Sequence, residues 1–210
     1  MTFVLVAVLF VALCVGVEVF ARRARFLSAE LVRKLAHMSS AVFAALLPLV
    51  LGFDEIALLG VLFAGLMAAS QQIGIFTAIH GVSRRTLGEV LFPLGIAALA
   101  LVCPSPLPFA YGVLVLGLGD GLAALVGERF GRRRIPLLQT RKTLWGTGAF
   151  LGVCFALGIA LLAPTGVSPL YLLAAAAVMA VALTPIELFL TYGFDNLALP
   201  PVAGLLLTGL

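Results

Sequence analysis

Residues 108–127 read PFAYGVLVLGLGDGLAALVG, and residues 128–143 read ERFGRRRIPLLQTRKT. Apart from Asp120 the first stretch is uncharged, and it is long enough to cross a bilayer as a helix. The second carries Arg129, Arg132, Arg133, Arg134, Arg141 and Lys142 before a glycine-rich restart at Gly146-Thr147-Gly148. A carboxylate in a membrane span is costly, so it faces a bundle interior or a polar cavity and points to a cation or polar site. A dense basic loop beside such an acid suits a polyanion. The pair of features predicts chemistry on phosphate groups at a membrane surface.

The same alternation runs along the chain. Apolar runs occupy about 2–20, 35–52, 56–79, 89–103, 108–127, 144–163 and 170–190, and a shorter one covers 197–210. Hydrophobic residues make up 63% and charged residues 10%, where a soluble domain is about a quarter charged. The prediction is an all-α polytopic membrane protein. It has about seven transmembrane helices plus a short C-terminal half or re-entrant helix, and residues 1–210 form one integral membrane domain. Cys14, Cys103 and Cys154 are far apart and without Cys or His neighbours at ligand spacing, which argues against zinc.

All 13 Lys and Arg fall in three segments, 21–34, 80–88 and 128–143. Loop 53–55 is acidic, and loops 104–107 and 164–169 are uncharged. Basic loops stay on the cytoplasmic side, so the N-terminus is expected outside, with the basic loops and 191–196 inside. Residues 2–20 have no positive segment before them, and Arg22, Arg23 and Arg25 follow, which reads as a retained span and not as a signal peptide. This clustering does not suit a DNA-binding surface. Topology alone would account for the pair in 80–88, but orientation needs fewer than the six charges in 128–143.

Four further constellations lie on the expected inner face. In RKLAH, residues 33–37, Arg33 and His37 are four apart and Lys34 and His37 three apart, so the donors share one helix face. That suits a phosphate clamp with His37 as a proton acceptor; snorkelling cations with a hydrogen-bonded histidine are the ordinary alternative. In GEVLFPLG, 88–95, Glu89 opens a span where the helix dipole favours an acid, and Pro93 is expected to break the helix near its start. In DNLALP, 195–200, Asp195 and Asn196 precede a short apolar run interrupted by Pro200 and Pro201. Such an element can bring polar groups to membrane depth, although a simple Asx turn also fits. Finally, Lys142 and Thr143 open a span where free N–H groups favour anions.

Taken in order, RKLAH, GEVLFPLG, GDGLAALVGERFGRR at 119–133, KTLWGT at 142–147 and DNLALP resemble the CTP-dependent lipid-alcohol kinases, the family of dolichol kinase, phytol kinase and the yeast-type diacylglycerol kinase. The middle motifs also resemble the related phosphatidate cytidylyltransferases. The resemblance covers about residues 30–205 and implies transfer of the γ-phosphate of CTP to a hydrophobic alcohol with Mg2+ or another divalent cation. It implies catalytic roles for Asp120, His37 and Lys142, and metal ligation by Asp120 and Asp195. Substrate binding would fall to Arg33, Lys34, Glu89, Arg132, Arg133, Arg134, Thr143 and Asn196. One position departs from the family pattern: Trp145 stands where an acid usually precedes the glycine, which would leave Glu89, Glu128 or Glu187 to replace it. The expected partners are a nucleotide and a membrane lipid, and the expected location is a bacterial cytoplasmic membrane with the site facing the cytoplasm. Cytidylyl transfer to phosphatidate is the alternative reaction. A small-ion transporter built on Asp120, Glu187 and Glu18 is the alternative of another class.

Overall fold

The computed structural model describes residues 1–24, 28–76, 87–131, 135 and 142–210. Eight helices are seen among them: α1 (Thr2–Arg23), α2 (Ala29–Ala45), α3 (Phe53–Ile73), α4 (Gly88–Val102), α5 (Pro106–Phe130), α6 (Leu144–Leu162), α7 (Pro169–Phe189) and α8 (Phe194–Thr208). Five of them, α1, α3, α5, α6 with its 3₁₀ extension to Thr165, and α7, are long and apolar enough to cross a membrane. The others have 17, 15 and 15 residues. At 15 residues a helix measures about 22 Å, short of a ~30 Å hydrocarbon core. Seven spans and a half helix were expected from the apolar runs, so α2 and α4 are the two that fall below full length. The short C-terminal helix is present as α8.

Capping moves several boundaries away from the edges of the apolar runs. The Ser28 hydroxyl accepts from the Leu31 amide at 3.2 Å, so α2 begins well before residue 35. Arg33 and Lys34 are therefore inside the helix and not at its mouth. Glu55 accepts from the Gly52 amide at 2.9 Å, which draws Asp54 and Glu55 into the first turn of α3. At its far end α5 runs to Phe130, three residues beyond the expected boundary. This places Asp120 about 15 Å of helix from that end.

Helix α5 is the centre of the bundle. Its apolar window is 61% buried, against 17% for α1. Phe109, Tyr111, Val113, Val115 and Leu116 are all fully buried. Between Val115 and Asp120 the helix widens into a π-helical turn, a feature found often at functional sites. Small residues let neighbours approach it closely. A Cβ at Gly117 would meet the Cβ of Ala41, and one at Gly121 would meet Met38 at 2.6 Å, so α2 lies directly on this part of α5.

Pro93 does not end α4; the helix runs through it to Val102. Proline removes the bond to the Glu89 carbonyl. The loss is offset by packing, since the Pro93 carbonyl lies where a Cβ on Gly60 of α3 would meet it at 2.6 Å. The starts of α4 and α8 are joined as well. Asn196 Nδ2 donates to the Gly88 carbonyl at 2.9 Å, and the Leu87 amide donates to the Tyr192 carbonyl at 3.1 Å. Gly117→Val should therefore lower the melting temperature of the detergent-solubilised protein, with an overpacking cost of about 1–3 kcal/mol. Gly65→Ala, where nothing lies within 4 Å of an added Cβ, should leave it unchanged or raise it.

Candidate functional site

The π-helical turn of α5 carries Asp120 on the side facing α2. Lys34 Nζ donates to Asp120 Oδ2 at 2.5 Å, with the two residues only 3% and 7% exposed. His37, one turn along α2, has Nε2 at 3.9 Å from the same oxygen and 3.4 Å from the Leu116 carbonyl of the π-helical turn. Its ring rests against Phe92 of α4, with centroids 4.5 Å apart. Lys34 and His37 thus meet Asp120 from adjacent turns of one helix. The i, i+3 spacing read from the sequence foretells this geometry.

A second pair lies close by. Lys142, just ahead of α6, donates to Glu187 Oε1 of α7. Glu187 is buried, and among the described residues its Oε2 has no hydrogen-bond partner, nor has the buried Thr147 hydroxyl near the start of α6. Burial alone would push the Lys142 ammonium down, but Asp120 and Glu187 outweigh it and hold it above its ordinary value, so it stays charged at neutral pH. Asp195, in the first turn of α8, is within electrostatic reach of Asp120, Lys142 and Lys34. Two ammonium groups and three carboxylates thus form one electrostatic cluster, buried at Lys34, Asp120 and Glu187 and half-buried at Lys142 and Asp195.

The other expected residues are placed as follows. Arg33 is bridged to Glu30 at 2.5 Å and also lines a cavity beside His37. Glu89 lines the same cavity and accepts from Gln71 Nε2 at 2.9 Å. Asn196 lines it too, with its amide committed to Gly88. The Thr143 hydroxyl accepts from the Gly146 amide at 3.1 Å as the N-cap of α6, so its visible work is to start that helix and not to hold substrate. Arg132, Arg133 and Arg134 lie outside the described residues. Trp145 is exposed on the outside of the bundle, its ring 6.5 Å from that of Phe130. An acid at that position would face outward, away from the buried cluster. The acid that does enter the cluster is Glu187, which the motifs left only as a substitute. Its signal was its place inside an apolar span.

Among the described residues no group of three or more His, Cys, Asp or Glu side chains could hold a metal ion by itself. Mg2+ rarely uses such a cage; it keeps waters and phosphate oxygens and takes one or two carboxylates. Asp120, Asp195 and the unpartnered Oε2 of Glu187 are oxygen donors of that kind. The set fits a cation that arrives with a polyphosphate.

The cavity beside His37 measures about 670 Å3 out to its open mouth. Arg33, His37, Glu89 and Asn196 form its polar end, and Phe10, Val17, Phe63, Met67 and Phe92 its apolar walls. A polar head and an apolar body can be held there side by side. Removing one member of the buried pair should be far worse than removing both. Lys34→Met should destabilise the folded protein by about 3–5 kcal/mol, because it strands the Asp120 carboxylate. Lys34→Met combined with Asp120→Leu should recover most of that loss, as read from melting temperatures in detergent.

The chain is 33% identical over 147 residues to the phytol kinase of Synechocystis sp. (strain ATCC 27184 / PCC 6803 / Kazusa). Those residues are 69% of this chain and 63% of the relative, so the match spans somewhat less than two thirds of that protein. No family model matches the chain. No solved structure matches it either. Over that stretch the chain is similar to a lipid-alcohol kinase, a member of the family that its five motifs resemble.

Proposed function

We propose that the protein transfers the γ-phosphate of CTP to the hydroxyl of an isoprenoid alcohol dissolved in the membrane. The observation that carries this reading is the buried cluster of Lys34, Asp120, Lys142 and Glu187 with His37 at its edge, opening beside an apolar cavity. Phosphoryl transfer needs little covalent help from a protein. It needs reactants held in line and charges set where negative charge develops. The similarity to a phytol kinase supports the acceptor class.

In this mechanism the alcohol oxygen attacks the γ-phosphorus, the bond to the β–γ bridging oxygen breaks, and the nucleoside diphosphate leaves. The hydroxyl proton passes to Nδ1 of His37, because Nε2 faces two acceptors, the Leu116 carbonyl and the Asp120 carboxylate, and carries the ring hydrogen. Asp120, 3.9 Å from Nε2, stabilises the imidazolium that results. Lys34 and Lys142 place their ammonium groups beside the phosphates, and the charge of Arg132–Arg134 would add to the attraction for the nucleotide. A divalent cation held by Asp120 with Asp195 or Glu187 would neutralise phosphate oxygens. The apolar walls of the cavity exclude water, which would otherwise compete with the alcohol. The site is proposed to face the cytoplasm, where the nucleotide is available. A small-ion transporter is less consistent with acids already neutralised by lysines.

Labelled CTP separates the alternatives. Incubated with phytol in proteoliposomes, the protein should move the γ-label to the lipid and leave the α-label in the nucleotide. Transfer of the α-label to phosphatidate would replace the kinase with a cytidylyltransferase. Asp120→Asn, assayed at a temperature where melting shows it still folded, should turn over at least about a hundredfold more slowly. Wild-type rates in that variant would remove the buried cluster from the mechanism.

A further inference from the structure

The cavity beside His37 has a neighbour at its apolar end. A second cavity of about 330 Å3, open space included, shares Phe10, Phe63, Phe92 and Pro93 with the first. It goes on to Ala44, Leu47 and Ile56, and its lining among the described residues is entirely apolar or glycine. One face of α2 and the turn beyond it follows the whole path: Arg33, His37, Ser40, Ala44 and Leu47. These recur at the three- and four-residue spacing of a single helical stripe.

We propose that the two cavities form one groove that holds the hydrocarbon chain of the acceptor alcohol, hydroxyl at His37 and tail toward Leu47 and Ile56, and that it admits a single linear chain and not the paired chains of a diacylglycerol. The proposal rests on the kinase reading and specifies its acceptor. Two features fix the occupant. The deep half of the groove is apolar, and its charged side chains are all in the half that meets the reactive cluster, which suits a molecule with one polar terminus. Phe10, Phe63 and Phe92 line both cavities, so the proposed groove has its waist there. Phe10 and Phe63 meet there edge to face, with centroids 4.3 Å apart. Rings in contact close the space between them and narrow this part of the groove, which favours one chain over two. From His37 to Leu47 the path is about 15 Å, the length of roughly a dozen carbons. Access is from the bilayer past α1. That helix supplies Phe10, and its apolar window is only 17% buried, the least of the five long helices.

Two readouts test the groove, and one does not depend on turnover. A long-chain isoprenoid alcohol carrying a diazirine at its far end, photolysed in proteoliposomes, should label residues around Leu47 and Ile56. The same alcohol with the diazirine beside the hydroxyl should label around His37 and Met67. Labelling scattered over the outer faces of the helices would overturn the proposal. Labelling at these two places without phosphate transfer would uphold the groove and remove the kinase reading.

For the second readout, Ala44→Phe should block the deep end and lower the ratio of kcat/KM for long over short alcohols about tenfold or more. Leu47→Ala, which opens the same end, should raise that ratio. Equal changes for all chain lengths in both variants, or efficient phosphorylation of diacylglycerol by the wild type, would overturn the single-chain groove.

Discussion

Everything about this site depends on one buried ion pair, Lys34 with Asp120. An isolated charge at this depth is unaffordable in hydrocarbon, and pairing alone does not cancel the desolvation of two ions. The remaining cost is met by neighbours. The His37 ring stands 3.9 Å from the Asp120 oxygen, and Lys142 adds a second positive field. The backbone cooperates too. The π-helical turn sets Asp120 toward α2, and the glycines around it let α2 come close enough for a lysine to reach. A site that only held the bundle together would be served as well by apolar side chains of similar volume. Retaining both charges makes sense if a ligand exchanges for them.

Helix α2 carries two functions on adjacent stripes. Lys34, Met38 and Ala41 face α5, where they meet Asp120, Gly121 and Gly117. Arg33, Ala36, His37 and Ser40 face the cavity. His37 is the residue that touches both sides, near Asp120 and the Leu116 carbonyl on one and in the cavity wall on the other. A rigid helix thereby holds the place where a hydroxyl would arrive at a set distance from the place where phosphate charge would be neutralised. Positioning of this kind is the main contribution a protein makes to phosphoryl transfer.

Much of this was legible in the chain. Apolar runs spaced by short loops gave the helices, because hydrocarbon tolerates no unpaired backbone. Asp120, Lys34, His37 and Lys142 stood out as charged groups in or beside apolar spans, and the structure gathers them. What the chain concealed was pairing and local capping. No spacing rule joins Lys142, just ahead of α6, to Glu187 on α7, 45 residues away. The hydroxyl of Thr143 looked available until the Gly146 amide was seen to use it. Pro93 reads as a helix breaker because the local rule omits the tertiary contact with Gly60 that offsets the missing bond. The π-helical turn has no sequence signature beyond the glycines that surround it.

The outward position of Trp145 changes how the family resemblance bears on this chain. If an acid at that position were required inside the buried cluster, its replacement by an aromatic residue would leave the site short of an oxygen donor. Trp145 instead lies with Phe130 on the outer surface, as amphipathic aromatics do near a membrane boundary. Meanwhile Glu187, drawn into the interior by Lys142, presents a carboxylate oxygen without a partner. A buried carboxylate oxygen left unsatisfied is costly, so it survives where a bound state satisfies it. The charge count is consistent with that. Asp120, Asp195 and Glu187 against Lys34 and Lys142 leave one negative charge in excess, which a divalent cation would more than neutralise. The departure at Trp145 is therefore compatible with one further oxygen donor supplied from α7 by Glu187.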